Sequence, residues 1–251
     1  MQRTIVVSGG GTGIGLAIAQ RFASEGSRVV LLGRRSAVLT AAVQQINKGM
    51  SGIGACTVGI PIDLTLPHEV EDLPAMLVQY DIDTVDVLIN NAGGVWRGDP
   101  EGLHGILAQW TSDFHGNVMT AVLLTEALLP RIREGGGRII SMSSIAAVNG
   151  GGNSYSAAKA ALVGWTYHLA RMLGPRGITV NCIAPGYVQQ TEFFGSTMTP
   201  ERHQRLVAQT VVGRAGIPED IAATAFFLAS GEAGYISGQL IHVNGGAGLG
   251  R

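Results

Sequence analysis

The sequence predicts a single-domain α/β fold, a doubly wound parallel sheet of seven strands with helices on both faces. Three observations carry this. Short β-branched apolar runs alternate with longer segments of helical period along the whole chain, which is the pattern of βαβ units. The first run ends in a glycine-rich turn, Ser8-Gly9-Gly10-Gly11-Thr12-Gly13-Ile14-Gly15, that opens a helical pattern. With 251 residues, 46% of them apolar and 14% charged, the chain has the material for a large core and too little charge for disorder. Chains of roughly 200–250 residues commonly form one α/β unit. No repeat, composition shift or Pro/Ser-rich linker divides this one, so residues 1–251 are read as one domain.

The elements follow in order. Residues 4–7 read as the first strand and 14–25 as the helix after the turn; strand 28–32, Arg-Val-Val-Leu-Leu, leads to helix 37–48. Strand 54–60 and helix 69–80 come next, then strand 85–89 and a long helix, 103–130, with a break near Trp110. Strand 137–141 precedes an Ala-rich helix, 155–173, and strand 179–183 precedes helices 200–210 and 218–229. The last of these opens with Pro218 followed by Glu219 and Asp220, a helix-start signal. Strand 239–243 ends the sheet. Parallel strands buried on both faces read as near-continuous apolar runs, and right-handed crossovers stack helices on both sides.

Composition excludes several classes of function. Seventeen basic and eighteen acidic residues leave a net charge of −1, and the basic residues never cluster beyond Arg34-Arg35, so nucleic acid is not an expected partner. Only Ile5-Val6-Val7 is apolar before the first glycines, and no run reaches the ~18 residues of a spanning helix. The expectation is a soluble, cytoplasmic protein without a membrane role. Cys56 and Cys182 have no framework spacing and read as buried free thiols. No two of the six histidines fall three or four residues apart, so no metal is expected.

The glycine turn suits a phosphate. Glycines let the backbone approach an anion closely, and the free N–H groups of a helix start carry about half a positive charge. The spacing is GxxxGxG and lacks the Lys-Ser/Thr ending of a P-loop, which disfavours a nucleoside triphosphatase. The second strand ends at Leu32-Gly33-Arg34-Arg35, where a Rossmann fold usually carries an acid for the adenosine ribose. A guanidinium there accepts a 2′-phosphate that a carboxylate would repel, so Arg34 and Arg35 point to NADP, the alternative being a solvated turn. Asp63-Leu64 after the third strand suits either the adenine edge or a helix cap. Asn90-Asn91-Ala92-Gly93 and Ser141-Met142-Ser143-Ser144 end strands at the edge where open α/β sheets bind ligands.

Tyr155 and Lys159 are four residues apart on a helical pattern and therefore share a face. Chance supplies such a pair rarely, because the chain has five Tyr and only one other lysine, Lys48. A free phenol is about one part in a thousand ionised at pH 7, and bringing its pKa to neutrality takes about 4 kcal/mol. A neighbouring ammonium acts in that direction and makes the phenol a usable acid or base. The alternative is an exposed helical pair.

Together these residues resemble the short-chain dehydrogenase/reductase family in its compact form, over nearly the whole chain. Ser8-Gly9 through Gly13-Ile14-Gly15 is similar to TGxxxGIG, Asn90-Asn91-Ala92-Gly93 to NNAG, and Tyr155 through Lys159 to YxxxK, followed by Pro185-Gly186 after Val180-Asn181. Asn117 lies seven residues after Trp110, and Ser144 takes the second serine of ISS. The resemblance implies hydride transfer between a nicotinamide cofactor and a carbonyl or alcohol carbon, with NADP(H) favoured and NAD(H) open. It implies Tyr155 as proton donor or acceptor, Ser144 holding the substrate oxygen, Lys159 on the nicotinamide ribose, and Asn117 anchoring a water. Cofactor contacts implied are Gly9, Gly11, Thr12, Gly13, Ile14, Gly15, Arg34, Arg35, Asp63, Leu64, Asn91, Ala92, Gly93, Tyr155, Lys159, Pro185, Gly186, Val188 and Thr191.

The best likeness is to 3-oxoacyl-acyl-carrier-protein reductases, which implies a small carbonyl, alcohol or acyl thioester substrate and a homotetramer. The chain departs from the pattern in three places. Only ten residues separate Ser144 from Tyr155, with Gly150-Gly151-Gly152 among them. Gln190 stands where the family has Thr, with Thr191 one later, and Gly135-Gly136 occupies a stretch that is often basic in those reductases. Residues 189–212, with Phe193, Phe194 and Met198, read as a lid over the substrate or as a plain amphipathic connector. Two further readings are an NAD-dependent sugar or alcohol dehydrogenase and a non-catalytic dinucleotide-binding scaffold.

Overall fold

The computed structural model describes residues 2–49, 56–95, 98 and 100–249. Its chain order is β1 (Thr4–Ser8), α1 (Gly13–Ser24), β2 (Arg28–Gly33), α2 (Ser36–Gly49), β3 (Thr57–Pro61), α3 (Pro67–Val78) and β4 (Val87–Asn90). Then come α4 (Gly102–Phe114), a π-helical turn (His115–Met119), α5 (Thr120–Leu128), β5 (Arg138–Met142), α6 (Ala146–Asn149) and α7 (Ser154–Leu173). β6 (Thr179–Pro185), α8 (Pro200–Ala208), α9 (Pro218–Leu228) and β7 (Leu240–Val243) complete it.

The seven strands form one sheet in the order β3-β2-β1-β4-β5-β6-β7, with every pairing parallel. Alternation along each strand sends side chains to opposite faces. Ile5, Val7, Val29 and Leu31 pack with α1, α2 and α9 on one side, while Val6, Val30, Leu32 and Leu88 pack with α3, α5 and α7 on the other. The chain winds outward from β1 through β2 to β3, then returns to β4 on the other side of β1. That reversal opens a crevice at the carboxyl ends of β1 and β4, where α/β sheets hold ligands.

All seven strands match the sequence expectation with end shifts of a few residues, and the expected start of β3 at Gly54 lies outside the described residues. Three expectations need correction. The long helix does not break at Trp110; α4 runs through it, and the irregularity is the π turn at His115–Met119, which periodicity cannot place. Between Ser144 and Tyr155, where the three glycines suggest a pared, flexible loop, a short helix, α6, takes Ala146–Asn149. Cys182 is buried but Cys56 is exposed, because it precedes an edge strand and not a central one. Among the described residues no helix is long and apolar enough to cross a membrane, and no cluster of metal-ligating side chains occurs.

Candidate active site

β1 delivers the glycine turn to the crevice. Gly9 and Gly13 sit at φ +62° and +52°, conformations that glycine adopts without strain. A Cβ at Gly15 would strike the Gly9 carbonyl and the Asn91 amide, so α1 approaches the turn more closely than any other residue allows. Thr12 precedes α1 in extended backbone without capping it, and the first turn of α1 carries no acid. The orphan N–H groups at Gly13, Ile14 and Gly15 and the positive end of the dipole therefore face the turn unopposed. Gly11 packs tightly on Val38 of α2.

Neighbouring strand ends are tied to this turn. Ser8 Oγ accepts the backbone N–H groups of Asn91 and Ala92, each at 2.9 Å, and Asn91 Nδ2 donates to the Ser8 carbonyl at 3.0 Å. The next residue, Gly93, lies against two polar groups: a Cβ there would fall 2.5 Å from Asn117 Oδ1 and 3.2 Å from Lys159 Nζ. Asn117, buried in the π turn, donates through Nδ2 to the carbonyls of Gly94 (2.7 Å) and Asp113 (2.8 Å) and accepts the Gly94 N–H at 3.1 Å. Both amide protons are spent, so the side chain buckles the loop after β4 onto α4.

α7 brings Tyr155 and Lys159 to the same place. Lys159 is fully buried, its Nζ donating 2.9 Å to the Met142 carbonyl at the end of β5 and lying 5.7 Å from the Tyr155 ring centroid. Burial pulls its pKa down to about 8, opposed by the nearby Cys182 thiol. Ser143 Oγ donates to the Lys159 carbonyl at 2.8 Å and so pins β5 to α7. Ser144 Oγ accepts the Ala146 N–H and stands near enough to the Tyr155 hydroxyl to act on its pKa. Burial pushes the phenol up to about 12; Ser144 lowers it and the Asp113 charge raises it further. Desolvation is the largest influence on the phenol in this structure, and it acts against the depression that a neighbouring ammonium would bring.

The far end of the crevice carries the arginines. Arg34 and Arg35 are both exposed. Arg35 is paired with Glu192 at 2.6 Å, and Thr12 Oγ1 reaches the same carboxylate at 3.4 Å. Those contacts hold the Glu192 carboxyl below its usual range, Arg35 contributing most. Arg34 stands near enough to Asp63 to help lower its carboxyl against burial, together with the stronger hydrogen bonds from Thr65. Asp63 Oδ1 is engaged locally by the Thr65 N–H and hydroxyl, and Leu64 is buried. At the opposite end Pro185 closes β6, Gly186 donates to the Val243 carbonyl, and Val188 bridges to Gly216. Thr191 Oγ1 donates to the Val188 carbonyl, and the Thr191 side chain lies 3.3 Å from where a Gly13 Cβ would be.

The segment after Val188 covers the phenol. The Phe193 ring packs on Tyr155 with centroids 5.6 Å apart, Phe194 packs on Phe193 and Tyr187, and Tyr187 OH meets His203 Nδ1 of α8 at 2.8 Å. Met198 Sδ accepts from the Tyr187 hydroxyl at 3.7 Å. The structure therefore gathers Asn117, Ser144, Tyr155, Lys159 and Gly93 in one place and lines up the glycine turn, Arg34, Arg35 and Asp63 along the crevice. Two acids escaped the sequence reading. Glu192 follows Thr191 with no motif to mark it, and Asp113 is a single acid in the mostly apolar α4, a signal that alone has no direction.

A Rossmann dinucleotide fits this cradle: the uncapped start of α1 and the close-packed glycines of the turn are what a pyrophosphate needs. Comparison with known proteins agrees. Residues 9–248 match the family model described as Enoyl-(Acyl carrier protein) reductase. The 3-oxoacyl-acyl-carrier-protein reductase FabG of Aquifex aeolicus is 34% identical over 245 residues, spanning 96% of this chain and 95% of its own length. A blue fluorescent protein from a metagenomic library, solved in complex with NADPH, superposes with TM-score 0.85 at 31% identity and 98% coverage of both chains. A 7α-hydroxysteroid dehydrogenase, complexed with NADH and 7-oxo glycochenodeoxycholic acid, gives TM-score 0.86 at 32% identity, covering 97% of this chain and 93% of that one.

Proposed function

The chain belongs to the short-chain dehydrogenase/reductase family, oxidoreductases acting on CH–OH and C=O groups with NAD(P), and from that premise we propose an NADP(H)-dependent reductase that turns a ketone or 3-oxoacyl thioester into a secondary alcohol. The observation that carries this reading is the buried Tyr155 hydroxyl, set near enough to Ser144 for that side chain to lower its pKa and sharing a helix face with Lys159 at the mouth of the crevice. A phenol and an alcohol side by side suit one oxygen atom, either a carbonyl awaiting a proton or a hydroxyl giving one up.

Hydride chemistry is what a bound nicotinamide supplies. Tyr155 gives its proton to the substrate oxygen, and Ser144 holds that oxygen in line. Lys159 spends one N–H on the Met142 carbonyl and keeps the others for the nicotinamide ribose. Gly9, Gly11, Thr12, Gly13, Ile14 and Gly15 hold the pyrophosphate, Asn91, Ala92 and Gly93 line its path, and Asp63 with Leu64 flanks the adenine. Pro185, Gly186, Val188 and Thr191 frame the nicotinamide. Asn117 fixes the loop beside Lys159 and leaves one Oδ1 lone pair for a water on the way to solvent. The segment at 189–212 acts as a lid, its Phe193 excluding water from the phenol. The reading extends to a cytoplasmic homotetramer, which sedimentation would test.

Arg34 and Arg35 support NADP(H), since each can pair with a 2′-phosphate. The pairing of Arg35 with Glu192 favours a second reading, an NAD-linked sugar or alcohol dehydrogenase, because that arginine is already engaged. Titration of NADPH against NADH separates them. The first reading expects tighter NADPH and a ratio that collapses in Arg34→Ala; equal or tighter NADH with an unchanged ratio removes it. Screening with NADPH against acyl thioesters, quinones and cyclic ketones then identifies the substrate class.

A further inference from the structure

Two consecutive residues of the segment after β6 reach opposite ends of the crevice. Glu192 extends to the end of β2, where its carboxylate meets both terminal nitrogens of Arg35, at 2.6 and 3.4 Å, and accepts a hydrogen bond from Thr12 Oγ1 at 3.4 Å. Phe193 lies at the other end, its ring packed on that of Tyr155. Between these contacts the chain crosses the start of α1: a Cβ at Gly13 would fall 3.3 Å from the Thr191 side chain. The segment is thus a strap over the glycine turn, fastened to β2 on one side and resting on α7 on the other. It is bent sharply at its root. Gln190 sits at φ +60°, a left-handed conformation that a residue with a Cβ rarely adopts and that persists only while surrounding contacts hold it. The bonds from Thr191 Oγ1 to the Val188 carbonyl and from the Gly195 N–H to the Glu192 carbonyl stay within the segment. Among the described residues, the ion pair that fastens it to the cofactor cradle is the one with Arg35.

We infer that Glu192 is a specificity-determining residue: its carboxylate holds on Arg35 the place of a 2′-phosphate, and a dinucleotide carrying that group displaces it and frees the strap, with Phe193, from Tyr155. A dinucleotide without the group leaves the strap fastened. The inference rests on the reading of Arg34 and Arg35 as 2′-phosphate ligands. A phosphate monoester carries about 1.5–2 negative charges at pH 7 against the single charge of a carboxylate, and it forks onto a guanidinium in the same way. The two anions therefore compete for Arg35 and repel each other. The adenosine end of the cofactor then decides whether a ketone reaches the phenol: substrate enters when Phe193 lifts, and the strap closes again over it. Because the Arg35–Glu192 pair is exposed on both sides, exchanging one anion for the other shifts the strap's equilibrium several-fold and not by orders of magnitude.

The test uses the full chain and two adenosine fragments that differ in the 2′-phosphate, 2′,5′-ADP and 5′-AMP. Amide hydrogen exchange over residues 189–199 is the readout, and calorimetry establishes binding and saturation. Saturating 2′,5′-ADP is expected to raise exchange there about two- to five-fold, and 5′-AMP to leave it unchanged. Glu192→Gln exchanges at the raised rate with no fragment bound, and 2′,5′-ADP adds nothing further. Arg35→Ala does the same, whereas Arg34→Ala keeps the response at a higher fragment concentration. A carboxylate that only braced the segment would loosen it in Glu192→Gln but would give the wild type no response to the 2′-phosphate. Bound 2′,5′-ADP that leaves wild-type exchange unchanged, or lowers it, overturns the inference. Fragment 2′,5′-ADP that binds no tighter than 5′-AMP removes the NADP(H) reading beneath it instead, so the two failures are distinct.

Discussion

Gly93→Ala and Gly94→Ala substitute neighbouring residues, yet they are expected to behave very differently. A Cβ at Gly93 falls 2.5 Å from Asn117 Oδ1 and 3.2 Å from Lys159 Nζ, whereas a Cβ at Gly94 meets nothing within 4 Å. Unstrained contacts lie near 3.5–4.0 Å, so the buried carboxamide or the loop has to move by about an ångström. That movement breaks or stretches the two Asn117 hydrogen bonds to Gly94. Each contributes about 1 kcal/mol net, with about 1–3 more for a buried partner left unsatisfied, so Gly93→Ala is expected to cost about 2–4 kcal/mol. At about 2–4 °C per kcal/mol for a domain of this size, calorimetry should show Tm falling by roughly 5–15 °C. Turnover falls too, because Asn117 and Lys159 shift together. Gly94→Ala stays within about 0.5 kcal/mol of the wild type. Equal Tm values for the two variants, or a Gly93→Ala that melts and turns over normally, would refute the packing described around Asn117.

Further outcomes follow from the charged groups. Glu192→Gln releases Arg35 for the cofactor; because the pair is exposed on both sides its strength is about 0–1 kcal/mol, so calorimetric titration should show NADPH binding up to about five-fold tighter and NADH nearly unchanged. Unchanged NADPH affinity would mean that Arg35 takes no part. Lys159 gives up its proton near pH 8 when folded but near 10.5 when unfolded, so the unfolded chain binds more protons between those values and stability rises with pH across that window. Lys159→Met should abolish turnover, unfold at higher denaturant concentration than the wild type at pH 7, and lose the rise. A wild type with flat or falling stability from pH 8 to 10.5, relative to the variant, contradicts the buried amine.

The legible part of this protein is the part encoded locally. Apolar runs such as Val29 to Leu32 declare buried strands because both faces of a parallel sheet are covered, and Gly9, Gly13 and Gly15 mark a turn that only glycine can make. Tyr155 and Lys159 are readable because helical spacing alone puts them on one face. What depends on contacts between distant segments was not legible. The Glu192 pairing spans 157 residues to Arg35, and the Asp113 pairing spans 41 residues to Ser154. The burial of Tyr155 is illegible for the same reason: helical spacing supplies the neighbouring ammonium, and only the packed structure supplies the desolvation that raises the phenol. The π turn is likewise a tertiary choice, since one extra residue in a helix leaves the apolar pattern on either side intact.

The most direct measurement of the central claim is a paired experiment on Tyr155→Phe: NADPH binding by calorimetry and carbonyl reduction by loss of NADPH absorbance. Loss of the hydroxyl alone should leave the dissociation constant within about two-fold while turnover drops by at least about a hundred-fold, the scale of general acid catalysis. A variant that binds NADPH normally and reduces the carbonyl at the wild-type rate would contradict Tyr155 as the source of the proton.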